Sequence, residues 1–208
     1  MKVLVLAGPE SSGKSWLAEH IQQRFGGELV GEYVRQFIDQ QQRDTCYEDI
    51  PAIANGQLAW EDAARARQPG LVILDTHLLS NILWSRTLFG NCPAWLEQAL
   101  SERHYDLHLL LSPEGVEWIG DGQRCQPLLS ERQAFFEASR EWLERQGQRY
   151  EVLDGSWSYR RDRAMALVAD LLAKNMDQPA TVPFNESDAC ATTDKTLAGK
   201  SPEPSPRR

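Results

Sequence analysis

The segment Gly8-Pro9-Glu10-Ser11-Ser12-Gly13-Lys14-Ser15 constrains this chain most. It lies between an apolar run, Lys2 to Ala7, and a stretch with apolar residues at helical spacing, Trp16, Leu17, Ile21 and Phe25. It matches G-x-x-x-x-G-K-[ST] in full, in the strand-to-helix setting that this pattern requires. Its glycines let the backbone fold so that successive N–H groups point inward at phosphate oxygens. The helix that begins near Lys14 adds the positive end of its dipole. A loop of this kind needs a strand buried on both faces before it and a helix after it, which is an arrangement of parallel α/β proteins.

The rest of the chain repeats that alternation. Strand-like runs are expected at Lys2–Ala7, Leu29–Gly31, Leu71–Asp75, Leu107–Leu111 and Tyr150–Leu153. Helical patterns are expected at Lys14–Phe25, from Tyr33 onward, at 51–67, 77–88, Ser130–Gln146 and 159–174. Ser130 with Gln133 three residues on has the form of a capping box. Five strands with intervening helices predict one doubly wound α/β domain over 1–175, a five-stranded parallel sheet with helices on both faces. From about Asp177 the composition changes. The last 32 residues hold 5 of the 11 prolines and only 8 apolar residues, too few to offset the entropy of ordering. Residues 176–208 are therefore expected to form a disordered tail.

Composition narrows the function. Thirty acidic against 22 basic residues give a net charge of -8, which opposes non-specific attraction to nucleic acid. The apolar runs fall far short of the ~18 residues of a membrane span, and the first residues lack a secretory cleavage pattern. Cys46, Cys92, Cys125 and Cys190 are scattered, with neither disulfide nor zinc spacing, so a reducing cytoplasm is the default expectation. The expected partner is a small molecule, neither nucleic acid nor membrane. The oligomeric state is left open.

Several side chains follow from the phosphate loop. Lys14 is placed to reach β- and γ-phosphate oxygens of ATP, and the Ser15 hydroxyl to ligate Mg²⁺. Val72-Ile73-Leu74-Asp75 is an apolar strand ended by an acid, so Asp75 either supports the metal or caps the next helix. Glu32 ends a short strand on the same edge and is either the base that accepts the acceptor's proton or an exposed helix-start glutamate. Asp75 is the second choice for base. Residues 112–132, rich in Gly, Pro and Arg, have the character of a lid. Arg124 and Arg132 either close on the triphosphate or stay solvated. Trp118 either stacks on a ring or packs locally, and the other tryptophans read as packing residues.

The phosphate loop taken with Glu32-Tyr33-Val34-Arg35, Asp49-Ile50-Pro51, Gly56-Gln57, Ile73-Leu74-Asp75-Thr76 and Glu117-Trp118-Ile119-Gly120-Asp121-Gly122-Gln123-Arg124 resembles the nicotinamide riboside kinase domain of NadR-type proteins. The resemblance runs in order across about 1–174. It implies a P-loop kinase with sheet order 2-3-1-4-5, binding ATP and Mg²⁺ and phosphorylating the 5′-hydroxyl of nicotinamide riboside. Within it, Gly8 to Ser15, Arg124 and Arg132 belong to the nucleotide side, and Lys14, Glu32, Asp75 and Arg124 to catalysis. Glu32, Tyr33, Arg35, Gln57, Asp75 and Trp118 belong to the acceptor side, and Ser15 and Asp75 to the metal. With the phosphate loop beginning at residue 8, adenylylation and operator binding are not expected. The chain departs from the family in carrying His77 where an aspartate is usual, and Gln36 where an acid is frequent. His77 either replaces a polar contact or marks a site remodelled for another nucleoside. The rival readings are a kinase for another nucleoside or metabolite, and an ATP-switched regulatory module.

Truncation after Asn175 is predicted to change the unfolding free energy by less than about 0.5 kcal/mol, as for residues outside a packed core. Thermal melts of the two lengths check this, and a large fall in Tm would move the domain boundary.

Overall fold

A computed structural model describes residues 1–173. The tail expected over 176–208, and the last two residues of the domain expected over 1–175, lie outside the described residues. The elements are β1 (Lys2–Ala7), α1 (Lys14–Phe25), β2 (Glu28–Val30), α2 (Tyr33–Gln41), a 3-10 turn (Tyr47–Asp49), α3 (Ile50–Ala66), β3 (Leu71–Asp75), α4 (Leu78–Phe89), α5 (Ala94–Ser101), β4 (Leu107–Leu111), α6 (Leu129–Arg145), β5 (Tyr150–Leu153) and α7 (Trp157–Ala173). The five strands form one parallel sheet in the order β2-β3-β1-β4-β5, the order implied by the resemblance.

The central strands β1, β3 and β4 are apolar apart from Lys2, Asp75 and His108 because they are covered on both faces. Val3, Val5, Val72, Leu74 and Leu110 point into one core with residues from α3, α4, α5 and α6. Leu4, Leu6, Leu71, Ile73, Leu107, Leu109 and Leu111 point into the other, under α1 and α7. β1 lies between β3 and β4, with Leu6 opposite both Asp75 and Leu109. The phosphate loop therefore leaves the middle of the sheet at its carboxyl edge, beside Asp75.

Two expectations are corrected. Helix α5 is absent from the sequence reading. It follows Pro93 and is held by only two buried anchors, Leu96 and Leu100, too short a pattern to rise above its polar neighbours. The capping box at Ser130 does not form. Helix α6 starts at Leu129 with Leu128 at its N-cap and no side-chain cap, and Gln133 instead donates to the Glu114 carboxylate at 3.0 Å. A tertiary partner outcompetes the local one.

The turn from α1 into β2 depends on Gly27. Its φ is +96°, and a Cβ there would lie 2.4 Å from the Leu71 carbonyl oxygen. Gly27→Ala is predicted to destabilise the protein by about 2 kcal/mol through strain and backbone collision together. Urea denaturation measures it, and a loss under about 0.5 kcal/mol would show that the turn relaxes freely.

Candidate active site

The phosphate loop is shaped by two left-handed glycines with different neighbours. Gly8 has φ +125°, and a Cβ there would meet the Leu111 carbonyl oxygen at 2.6 Å. Gly13, the N-cap of α1, has φ +92° and lies under the Trp157 ring. Neither position admits a side chain. The Ser12 hydroxyl donates to the Pro9 carbonyl at 2.9 Å, and Lys14 Nζ folds back to donate to Gly8 and Pro9 carbonyls at 3.1 and 2.8 Å. The ammonium thus rests on loop carbonyls in reach of the space that phosphate oxygens would occupy.

Asp75 leaves β3 beside this loop. Its Oδ1 is buried and has no hydrogen-bond partner. Burial, and then the nearby Glu32 carboxylate, push its pKa up to about 6, against the opposing pull of Lys14 and the Ser15 hydroxyl. An orphaned carboxylate oxygen next to a hydroxyl suits a divalent cation. Among the described residues no group of three or more His, Cys, Asp or Glu converges on one point. The Asp75 oxygen and the Ser15 hydroxyl are hard oxygen donors of the kind that suit Mg²⁺, which takes one or two protein oxygens and completes its shell with phosphates and water. The next residue, Thr76, has φ +77°. A β-branched residue in that region is strained, and it is held there by its N–H to the Leu6 carbonyl at 3.1 Å.

Glu32 precedes α2 and forms an ion pair with Arg35, Nε to Oε2 at 2.7 Å. Its backbone is pinned by Gln57, which accepts from Tyr33 N at 2.9 Å and donates to the Gly31 carbonyl at 3.1 Å. Gln57, expected on the acceptor side, lines the cavity, but its amide is engaged on both sides of Glu32. Arg35 also binds Asp121 at 2.8 Å.

Glu32, Arg35, Lys14 and Arg124 all border one cavity of about 520 Å³. From the phosphate loop it extends to Ile50, Ile53, Trp84 and Phe89, where Asn81 adds a buried Oδ1 without a partner. Its far half thus offers flat apolar surface and one unsatisfied acceptor, which suits a ring bearing a donor group. Asn81 and Phe89 stand on α4 among apolar neighbours, with no motif in the sequence to single them out; Trp84 packs on the core and on Phe135 as expected, and lines this cavity as well.

Other expected residues lie elsewhere. The Tyr33 ring packs on Gly56, whose missing Cβ makes the room, and stands edge-on to Trp60 at 5.0 Å. It is not among the cavity's lining residues. Trp118 donates its Nε1–H to Glu10 at 2.7 Å and lies against Gly120, also outside the lining. Arg132 is 4% exposed, so it is not solvated, and it reaches the Val116 carbonyl at 3.2 Å at the start of the lid, outside the cavity's lining residues. His77 is 1% exposed, packed against Tyr105 and His108 with ring centroids at 4.8 and 5.2 Å. Burial holds its pKa well below the usual range. It is a neutral core residue, not a replacement polar contact in the site.

Arg160 also escaped the sequence reading, because one arginine in an arginine-rich helix carries no local signal. It is 1% exposed, and burial lowers its pKa. Its guanidinium hydrogen-bonds carbonyl oxygens of Gly155 at 2.9 Å, Ser112 at 2.7 Å, Glu114 at 3.0 Å and Ser12 at 3.4 Å. The phosphate loop, the end of β4, the start of the lid and the turn after β5 thus meet on one side chain.

The profile of an AAA domain matches residues 3–160. The chain belongs to the AAA domain family. It is similar to the trifunctional NAD biosynthesis/regulator protein NadR of Salmonella typhimurium, 24% identical over 139 residues, 65% of this chain and 34% of that protein. The chain therefore spans about a third of that relative. Among solved structures it resembles NadR protein in complex with NR, at TM-score 0.71 and 22% identity, covering 83% of this chain and 52% of the other. NadR protein in complex with NAD and AMP-PNP gives TM-score 0.66 at 20% identity, with 82% and 49% covered. Deoxyadenosine kinase from M. mycoides with bound dATP gives TM-score 0.56 at 16% identity, with 81% and 100% covered. The fold of this AAA domain is thus that of P-loop kinases.

The raised pKa of Asp75 has a signed consequence for stability. The folded carboxyl binds its proton near pH 6 and the unfolded one near 3.8, so the folded state holds more protons between those values and loses stability as pH rises through 6. We predict that Asp75→Asn, without nucleotide or divalent cation, stabilises the AAA domain by up to about 3 kcal/mol at pH 8, with the gain shrinking towards pH 4. Thermal melts across that range check it, and an equal shift at both ends would show that Asp75 ionises without penalty.

Proposed function

We propose that this AAA domain transfers the γ-phosphoryl group of ATP to the 5′-hydroxyl of nicotinamide riboside, giving nicotinamide mononucleotide. The observation that carries this reading is the single cavity running from Lys14 and Glu32 at the phosphate loop to Trp84 and Phe89. A phosphate donor and a ring-bearing acceptor can meet there with a carboxylate between them. The likeness to NadR in complex with NR, and to NadR with AMP-PNP, an ATP analogue, supports the choice of acceptor and donor.

The loop backbone and Lys14 bind the phosphates. Lys14 exchanges its carbonyl partners for β- and γ-phosphate oxygens. The Ser15 hydroxyl and the Asp75 carboxylate would hold Mg²⁺, which would supply charge neutralisation for the phosphates when bound. The acceptor's hydroxyl oxygen attacks the γ-phosphorus in line, and the bond to the β,γ-bridging oxygen breaks. ADP leaves with the electron pair, and the hydroxyl proton passes to Glu32. Arg35 orients that carboxylate, and Gln57 fixes the backbone on either side of it. Arg124, on the cavity wall, adds positive charge where the transferred group passes.

The test is incubation of the full chain with ATP, Mg²⁺ and a panel of nucleosides, with products identified by mass. Phosphate is expected on nicotinamide riboside. Transfer to a different nucleoside would keep the kinase and change the acceptor, while slow hydrolysis indifferent to every acceptor would favour the regulatory module. Glu32→Gln, which preserves shape and removes basicity, is predicted to lower kcat by about 10²–10⁴-fold with ATP affinity little changed. If it transfers at the parental rate while Asp75→Asn binds ATP·Mg and fails only in transfer, Asp75 is the base.

A further inference from the structure

The four variable positions inside the phosphate loop include a carboxylate, Glu10, whose hydrogen-bond partners all come from the segment 118–126. Glu10 Oε1 accepts from Trp118 Nε1 at 2.7 Å and from Gln126 N at 2.8 Å, while Oε2 accepts from Cys125 N at 3.2 Å. The adjacent Ser11 hydroxyl accepts from Ile119 N at 3.3 Å and lies 3.4 Å from the Ile119 carbonyl oxygen, to which it donates. These donors come from both ends of the segment 118–126, so one side chain closes that segment onto the phosphate loop.

Between the two ends, Asp121 accepts from Gln123 N and Arg124 N at 3.1 Å each. It also takes the Arg35 guanidinium, whose Nε binds Glu32. Arg124 in turn donates to the Ile119 carbonyl at 2.5 Å. The position of Arg124 on the cavity wall and the orientation of Glu32 therefore both depend on where this segment is held.

We infer that Glu10 is a positioning residue: its carboxylate latches the 118–126 lid onto the phosphate loop and thereby sets Arg124 and, through Asp121 and Arg35, Glu32. The inference rests on the proposed phosphoryl transfer for its catalytic consequence, but the latch itself is independent of any reaction. All three partners of Glu10 are donors, so the site needs a side chain that only accepts. Glutamine cannot serve, because either orientation of its amide sets an NH₂ group against an N–H. A closed lid also excludes water from the transferring phosphate, so opening it favours hydrolysis over transfer.

The test uses the full chain carrying Glu10→Gln, and Trp118→Phe, which removes one donor from the opposite side. Native-state trypsin cleavage after Arg124, followed by mass spectrometry without nucleotide, is expected to accelerate about tenfold in Glu10→Gln with Tm unchanged. Trp118→Phe shifts it in the same direction. The double variant is expected to show far less than the product of the two effects, since both break one contact. Cleavage of Glu10→Gln at the parental rate, or multiplicative effects in the double variant, would overturn the latch. In turnover, the ratio of acceptor-independent ADP release to transfer is expected to rise severalfold in Glu10→Gln, and an unchanged ratio would overturn the positioning role. If the parental protein phosphorylates no acceptor, the proposed function falls, and the cleavage rates alone then decide the latch.

Discussion

The buried guanidinium of Arg160 is the contact on which the geometry of the site depends. Each strand of a parallel sheet ends in carbonyls and N–H groups that the sheet no longer pairs, and the segments leaving β1, β4 and β5 all do so at one edge. Arg160 gathers four of the resulting carbonyls, at Ser12, Ser112, Glu114 and Gly155. A cation bound to carbonyl oxygens makes charge-assisted bonds of about twice ordinary strength. Removing it would leave buried acceptors unsatisfied, at about 1–3 kcal/mol each. The guanidinium also stands 5.8 Å from the centroid of the Trp157 ring, the ring that covers Gly13. The loop proposed to cradle phosphate is therefore held by α7, far along the chain from its own sequence motif.

What the sequence made legible follows the range of the forces involved. The three central strands were readable because a strand covered on both faces is almost wholly apolar over four or five consecutive residues, and the edge strands β2 and β5 by their place in the alternation. The phosphate loop and the acid at Asp75 were readable because their chemistry and their setting are adjacent in the chain. Orientation across elements was not readable. Whether the Tyr33 ring faces the cavity or the interior depends on Gly56, and whether Trp118 stacks on a ligand depends on Glu10, 108 residues away. The same holds for Arg132, which the start of the lid covers, and for His77, whose ring goes to Tyr105 and His108. In each case residue type and motif position were correct guides to the neighbourhood and not to the direction of the side chain.

The electrostatics of the site divide along the same line. The Glu32 carboxylate is close enough to oppose ionisation of Asp75, and the two acids have different partners. Glu32 has Arg35, while Asp75 has an oxygen with no partner. Burial and the Glu32 charge raise the proton affinity of Asp75 in spite of Lys14 and the Ser15 hydroxyl. Asp75 stands beside that hydroxyl, so a divalent cation at that point would remove the like-charge penalty and the burial penalty together. A carboxylate already neutralised by an arginine has less to gain from a metal and retains an oxygen for a proton. The inequality between the two acids thus favours a division of labour in which Asp75 meets the cation and Glu32 meets the acceptor.

The net charge of -8 places a further demand on this arrangement. A triphosphate approaches a protein whose overall field repels it, so capture must come from groups that act within a few ångströms. The Lys14 ammonium and Arg124 satisfy that condition, since both line the cavity and are held there by carbonyls of the loop and the lid. Attraction of this kind has a geometric penalty, because displacing the donors by an ångström weakens it steeply. Rigid support for the loop from Arg160, and a carboxylate that ties the lid to the same loop, are what an acidic protein needs if it is to hold phosphate by direction and not by field. The two supports act at different points of the loop, Arg160 on the Ser12 carbonyl and Glu10 on the segment 118–126, so the loop is tied at both without a ligand.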